Sequence, residues 1–268
     1  MLKLLNKAKH YINRKYFKNL KYEFEEFIPN SKGNSKDINE LIKVNVKNLT
    51  TNLLDIKNFF KKAKVQRITS LKVNKELQER LGILFNNYGS DKTVHGYDVL
   101  YAKILKEISP NPTILEIGIG SNNITIPSNM GKKGFPGASL KAFADIYPNA
   151  EIFGADIDEQ ILNNFKNVKM FYLDQNDLKT YNNDMINEKY FDLIIDDGLH
   201  MQSANLNTLI FALERLKPGG VLVIEDITIS ALNTWHIVKG LLREPFEFSL
   251  YKCFDNYAVT VELKKQIS

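Results

Sequence analysis

Two acidic strand ends carry the chemistry available to this sequence: Phe191-Asp-Leu-Ile-Ile-Asp-Asp-Gly-Leu-His200 and Val223-Ile-Glu-Asp-Ile227. Each reads as a buried apolar strand running into carboxylates, and the first places a histidine three residues beyond its last acid. In an open parallel sheet, ligands bind at the carboxyl ends of the strands, and neighbouring strands lie about 4.8 Å apart. If these two strands are neighbours, Asp197, Glu225 and Asp226 converge on one hard cation with His200 beside it. Carboxylates without cysteine suit Mg²⁺ or Mn²⁺. A cation that coordinates two adjacent hydroxyls lowers the pKa of one of them. A neutral His200 would then take its proton, a contribution of about 10²–10⁴-fold. Asp196 should face away from Asp197, because neighbours along a strand alternate.

A glycine loop, Leu115-Glu-Ile-Gly-Ile-Gly120, follows an earlier apolar strand. Glycines there let the backbone approach a ligand closely. A nicotinamide fingerprint needs a third glycine opening into a helix and an acid about 20 positions on. Here Asn123 stands at the third position, and the next strand-end acid, Asp156, comes 38 residues after Gly118. S-adenosylmethionine, which has no pyrophosphate, fits better. Asp156 would accept from both ribose hydroxyls, Asp174 and Gln175 would read the adenine, and Glu116 would lie near the methionine amino group.

The elements that must position these residues alternate in type from Pro112 onward. Strands are expected at residues 113–117, 151–155, 168–173, 191–195 and 221–224, the last after a Lys217-Pro-Gly-Gly220 turn. Helices are expected at 138–146, at 203–216 with Ser203 as N-cap, and at 235–242, with a closing antiparallel pair at 246–251 and 257–261. This alternation predicts an α/β fold, a doubly wound, mostly parallel sheet with an antiparallel C-terminal strand pair. Before it, residues 1–85 read as a basic helical region, with helical spacing at 37–64 and again at 74–87. The catalytic domain is placed at 86–268.

Charge separates the same two regions. Residues 1–80 hold 19 of the 36 Lys+Arg and 8 of the 31 Asp+Glu, so the remainder, with 17 against 23, is acidic. That balance argues against a nucleic-acid partner for the catalytic part. The basic helices fit a cap over the site or a homo-oligomer interface, or peripheral contact with the inner membrane face. The single cysteine, Cys253, excludes an intramolecular disulfide, and with no apolar run of spanning length the expectation is a cytoplasmic protein. Of the four histidines, His10 and His236 read as structural, and His95 is open between a structural and a site role.

Several short motifs in order resemble one family. Tyr88-Gly-Ser-Asp-Lys92, the 115–120 loop, Gly137-Ala-Ser-Leu140, Gly154-Ala-Asp-Ile-Asp158, Leu173-Asp-Gln175, Ile195-Asp-Asp-Gly-Leu-His200 and Ile224-Glu-Asp226 are similar to the Rossmann-like class I methyltransferases that act on macrolide sugars, the macrocin and mycinamicin group. The likeness covers about residues 86–228. It implies Mg²⁺-dependent (or Mn²⁺-dependent) methyl transfer from S-adenosyl-L-methionine to a sugar hydroxyl. Asp197, Glu225 and Asp226 would hold the metal, and His200 with Asp197 would be catalytic. Tyr88, Lys92, Glu116, Gly118, Gly120, Ser139, Asp156, Asp174, Gln175 and Asp196 would line the cofactor site. Leu199 departs from the pattern, as does the loop at 121–136. The acceptor is expected to be a sugar in a nucleotide-linked, surface-polysaccharide or other glycan setting. A non-sugar acceptor and a non-catalytic scaffold remain alternatives.

Overall fold

The computed structural model describes residues 63–265. They all belong to one compact unit. The expectations for the basic region therefore fall largely outside them. Helix α1 (Lys75–Tyr88), whose Leu81 and Phe85 are fully buried in the core, runs across the expected 85/86 boundary. Among the described residues, no helix is long and apolar enough to cross a membrane.

First in chain order come the edge strand β1 (Val65–Arg67), which pairs parallel with β7, then α1, the short α2 (Lys92–His95) and α3 (Tyr97–Leu105). Then follow β2 (Thr113–Ile117), α4 (Ala138–Ile146), β3 (Glu151–Asp156), β4 (Val168–Tyr172), β5 (Phe191–Asp196), α5 (Gln202–Arg215), β6 (Leu216–Ile227), α6 (Leu232–Leu241), β7 (Phe246–Lys252) and β8 (Tyr257–Leu263). The sheet order is β1-β7-β8-β6-β5-β2-β3-β4. Strands β4, β3, β2, β5 and β6 run parallel, and β8 is antiparallel to both β6 and β7. The order reverses at β2, between β3 and β5. In such sheets the crevice at that switch point binds ligands.

Apolar residues alternate between two cores, one on each face. Ile114, Leu193, Ile195, Val221 and Val223 pack with α1, α3 and α4, where Phe85, Tyr101 and Phe143 meet edge to face. Leu115, Ile117, Ile194, Leu222 and Ile224 pack with α5 and α6 around the fully buried Trp235. Carrying the alternation on by two residues puts Glu116, Asp197 and Glu225 on the α3 face and Asp196 on the α5 face.

Three local expectations change. Helix α5 begins one residue earlier than expected, with Met201 rather than Ser203 at its N-cap and no side-chain cap. The 217–220 segment does not interrupt the chain before a strand but lies inside β6, where a register shift against β5 between Phe191 and Leu193 and a φ of 83° at Gly219 absorb it. Helices α2 and α3 were not anticipated, although Tyr97, Leu100, Tyr101, Ile104 and Leu105 keep helical spacing and are all buried.

Candidate functional site

The acidic strand ends meet as the sequence suggests, but the residue that organises them comes from α2. Lys92, 2% exposed, places its Nζ 2.6 Å from Glu225 Oε2, 2.7 Å from Asp197 Oδ2 and 3.2 Å from Glu116 Oε1. It also lies 5.9 Å from the centroids of the Tyr97 and Tyr101 rings. Burial works against the charge, but Asp197, Glu225 and Glu116 outweigh it and hold the Lys92 ammonium well above its usual pKa. Burial likewise pushes the Glu116 and Glu225 carboxyls up, with the lysine opposing. Contacts of 2.6 and 2.7 Å are the geometry of an ion pair.

The phenols of α3 fix the remaining oxygens. Tyr101 donates a very short hydrogen bond to Glu225 Oε1, and Tyr97 donates to Asp226 Oδ1 at 2.8 Å while accepting from the Asp226 amide at 2.8 Å. Asn256, between β7 and β8, also donates to Asp226 Oδ1. Asp226 Oδ2 is thereby left facing His200 Nε2, 3.8 Å away. Ligand atoms of Asp197, His200 and Asp226 all lie within 4.8 Å of one another. Asp226 and His200 adopt left-handed backbone, with φ of 53° and 56°. Such strain in non-glycine residues gathers at functional sites. His200 Nδ1 is buried without a partner among the protein atoms. Two carboxylates and an imidazole around open space, one of them with an orphaned nitrogen, fit a hard divalent cation.

Two cavities adjoin this cluster. The larger, about 470 Å³, is lined by Lys92, Tyr97, Asp197, His200, Glu225 and Asp226, with Ser139, Met130 and Lys133 also on its wall, a size that suits a small molecule. The second runs along the strand ends past Gly118, Gly120, Ser121, Asp156, Asp174, Gln175 and Asp197. At Gly118 (φ 84°) a Cβ would lie 2.2 Å from the Gly198 Cα, so only glycine lets the two loops close on each other. Asp156 accepts from the Ile119 and Asp158 amides, both at 3.0 Å, and burial raises its pKa.

Several expected cofactor contacts are placed elsewhere. Tyr88 lines neither cavity, and its hydroxyl donates to Asp145 on α4 at 2.5 Å. Glu116 is fully buried as partner to Lys92 and Ser139 Oγ (2.6 Å), so it faces the lysine rather than a ligand's amino group. Asp196 is likewise fully buried, on the α5 face, where it accepts from Gln175 Nε2 at 2.8 Å and Asn205 at 3.1 Å. Gln175 does line the smaller cavity, but its side chain ties β4 to the next loop by also accepting from the Leu199 amide at 2.7 Å. Lys92 belongs to the acidic cluster instead of the cofactor cavity, and Glu225 is engaged by Lys92 and Tyr101, outside the triad of Asp197, His200 and Asp226. Tyr97, Tyr101 and Asn256 had not been singled out. The helical spacing that buries Tyr97 and Tyr101 was the available signal; nothing local marks Asn256. His95 lines the larger cavity and pairs with Asp255 at 2.9 Å.

A mostly parallel sheet that closes with an antiparallel strand pair, carrying a glycine loop and acids at successive strand ends, is the class I methyltransferase fold, and this chain has it. In the solved structures, the MycE methyltransferase of the mycinamycin pathway in complex with Mg and SAH superposes with a TM-score of 0.56 at 19% identity, covering 69% of this chain and 55% of that one. Its complex with Mg, SAH and mycinamycin VI gives 0.55, again at 19% identity, over 69% and 54%.

The sequence narrows the likeness to sugar O-methyltransferases of antibiotic pathways. It is 32% identical over 117 residues to the mycinamicin VI 2''-O-methyltransferase of Micromonospora griseorubida, covering 42% of this chain and 27% of that protein. It is 31% identical over 142 residues to the L-olivosyl-oleandolide 3-O-methyltransferase of Streptomyces antibioticus, covering 52% and 35%. The chain thus spans about a third or less of the length of these curated relatives. No family model matches it.

Proposed function

We propose that this protein is a metal-dependent O-methyltransferase that transfers a methyl group from S-adenosyl-L-methionine to a hydroxyl of a sugar. The observation that carries the proposal is the convergence of Asp197, His200 and Asp226 at the mouth of a cavity that adjoins the glycine loop. Asp197 and Asp226 would hold Mg²⁺ or Mn²⁺, which, when bound, acidifies a coordinated hydroxyl. S-adenosylmethionine would lie along the smaller cavity, its ribose at Asp156 and its adenine at Asp174, and supplies an electrophilic methyl on sulfonium sulfur.

The chain's own residues do the rest. His200, held by its left-handed backbone with Nε2 toward the acids, accepts the acceptor hydroxyl's proton as the new C–O bond forms. The Gly118 and Gly198 loops, in close contact, hold the strand ends together. Tyr97 and Asn256 fix Asp226, so that one of its oxygens stays turned to the cavity. Such positioning supplies several kcal/mol in a bimolecular transfer.

For the acceptor, the cavity lining favours a sugar carried on a glycan or another neutral carrier over a nucleotide-linked one. A pyrophosphate would meet Lys133 as the only lysine of the larger cavity not already bound to carboxylates, beside several acids. Isothermal titration with S-adenosylhomocysteine, with and without Mg²⁺, tests the reading. Micromolar binding that an Asp156→Ala substitution weakens supports it, and absence of binding by the wild type under both conditions removes it. Screening of acceptor sugars with His200→Ala as control then fixes the acceptor class.

A further inference from the structure

Four carboxylates, those of Glu116, Asp197, Glu225 and Asp226, crowd one end of the sheet, more negative charge than a single divalent ion neutralises. They define two places for a cation. One is the open space among Asp197, His200 and Asp226. The other lies among Glu116, Asp197 and Glu225, and the Lys92 ammonium already fills it, at 3.2, 2.7 and 2.6 Å. Asp197 belongs to both, as a carboxylate bridging two ions does in two-metal sites, where the ions sit about 3.5–4 Å apart.

We propose that Lys92 is a built-in cation occupying the second of these positions, so that the site takes one divalent ion where its carboxylates would otherwise hold two. The inference rests on the metal-dependent reading above. Lys92 is a positioning residue here and does not touch the reacting atoms. It is covalently tethered at the start of α2, 2% exposed at the wall of the larger cavity, and flanked by the Tyr97 and Tyr101 rings. By charge count, four carboxylates with one ammonium and one divalent ion leave a single negative charge beside the place where a sulfonium would bind. A second divalent ion in place of the lysine would cancel that charge and leave the site neutral.

The test counts ions and needs no turnover. Mn²⁺ is titrated into the full-length protein by calorimetry and by electron paramagnetic resonance, beside Lys92→Met. The wild type should bind one Mn²⁺ with an uncoupled six-line spectrum. Lys92→Met should bind two, with the broadened spectrum of a spin-coupled pair. A folded variant that still binds one ion with unchanged affinity overturns the proposal, as does a wild type that binds a coupled pair. A wild type that binds S-adenosylhomocysteine but no Mn²⁺ overturns the metal-dependent reading itself, a result distinguishable from either. If Lys92→Met lacks the wild-type far-ultraviolet dichroism, Lys92→Gln, which keeps a donor for Glu225 and Asp197, is measured and judged by the same ion count.

Discussion

The two halves of the site neutralise their acids by different means. Around β5 and β6, buried Glu116 and Glu225 and half-buried Asp197 and Asp226 are held by side chains from distant segments: an ammonium, two phenols and an amide. Around β3 and β4, the acids are held chiefly by main-chain amides, most of them from the residues that follow, although Asp156 also accepts the Ile119 amide and Asp158 the Ser121 hydroxyl. Asp156 accepts the Asp158 amide, Asp158 the Gln160 amide at 3.1 Å, Asp174 the Asn176 amide at 2.9 Å and Asp177 the Lys179 amide at 2.9 Å. Local amides shape turns and leave each acid independent of its neighbours. Side-chain partners tie the acids into one network, where loss of a member strands the others. One residue type thus performs two jobs, and its partners decide which.

If that division holds, the largest effect should come from the network half. His200→Ala should lower the methyl-transfer rate about 10²–10⁴-fold while leaving the affinity for S-adenosylhomocysteine unchanged, as single-turnover kinetics and calorimetry would report; equal loss of both would place His200 in cofactor binding instead. On the opposite side, Asp156→Ala should weaken S-adenosylhomocysteine binding about tenfold or more, one bidentate charged contact being worth about 1.5–3 kcal/mol, with Mn²⁺ binding intact. Loss of Mn²⁺ binding in that variant would show the halves to be coupled.

Stability should separate them too. Tyr101→Phe removes the only donor besides Lys92 that the described residues give buried Glu225 and should cost about 1.5–3 kcal/mol in denaturant unfolding. Asp177→Ala, which removes only a cap from its own short turn, should cost about 0.5–1 kcal/mol. Equal costs would erase the distinction.

The smallest expected effect lies at the rim. Burial opposes the His95 charge, but Asp255, Asp226 and Asp91 prevail and raise its pKa above 6.5. A raised folded-state pKa means that this contact stabilises fully below about 6.5 and stops doing so as pH climbs through the folded value. NMR titration should find the raised His95 pKa, and Asp255→Asn should bring it down. Because Asp226 contributes, Mg²⁺ at that carboxylate should lower it as well.

The strands and α4 were legible because their signals are local. An apolar run bounded by glycine or acid marks β2 or β5 whatever surrounds it. The same locality works against α2 and α3, helices of four and nine residues parted by Gly96, too short for a strong periodic signal. Of the candidate site, the strand-end acids and His200 were readable as residues. Their division of labour was not: Asp196 and Glu116 face inward, and Tyr88 turns to Asp145.

The class of fold and the chemical inventory at its strand ends are therefore set locally, since period-two alternation fixes which neighbours share a face. Only the tertiary structure decided who meets whom. Lys92 lies 105 residues from Asp197 and 133 from Glu225, and Tyr97 lies 129 from Asp226. No local periodicity encodes such separations; they follow from the crossovers that set β2, β5 and β6 side by side and bring α2 and α3 to their ends.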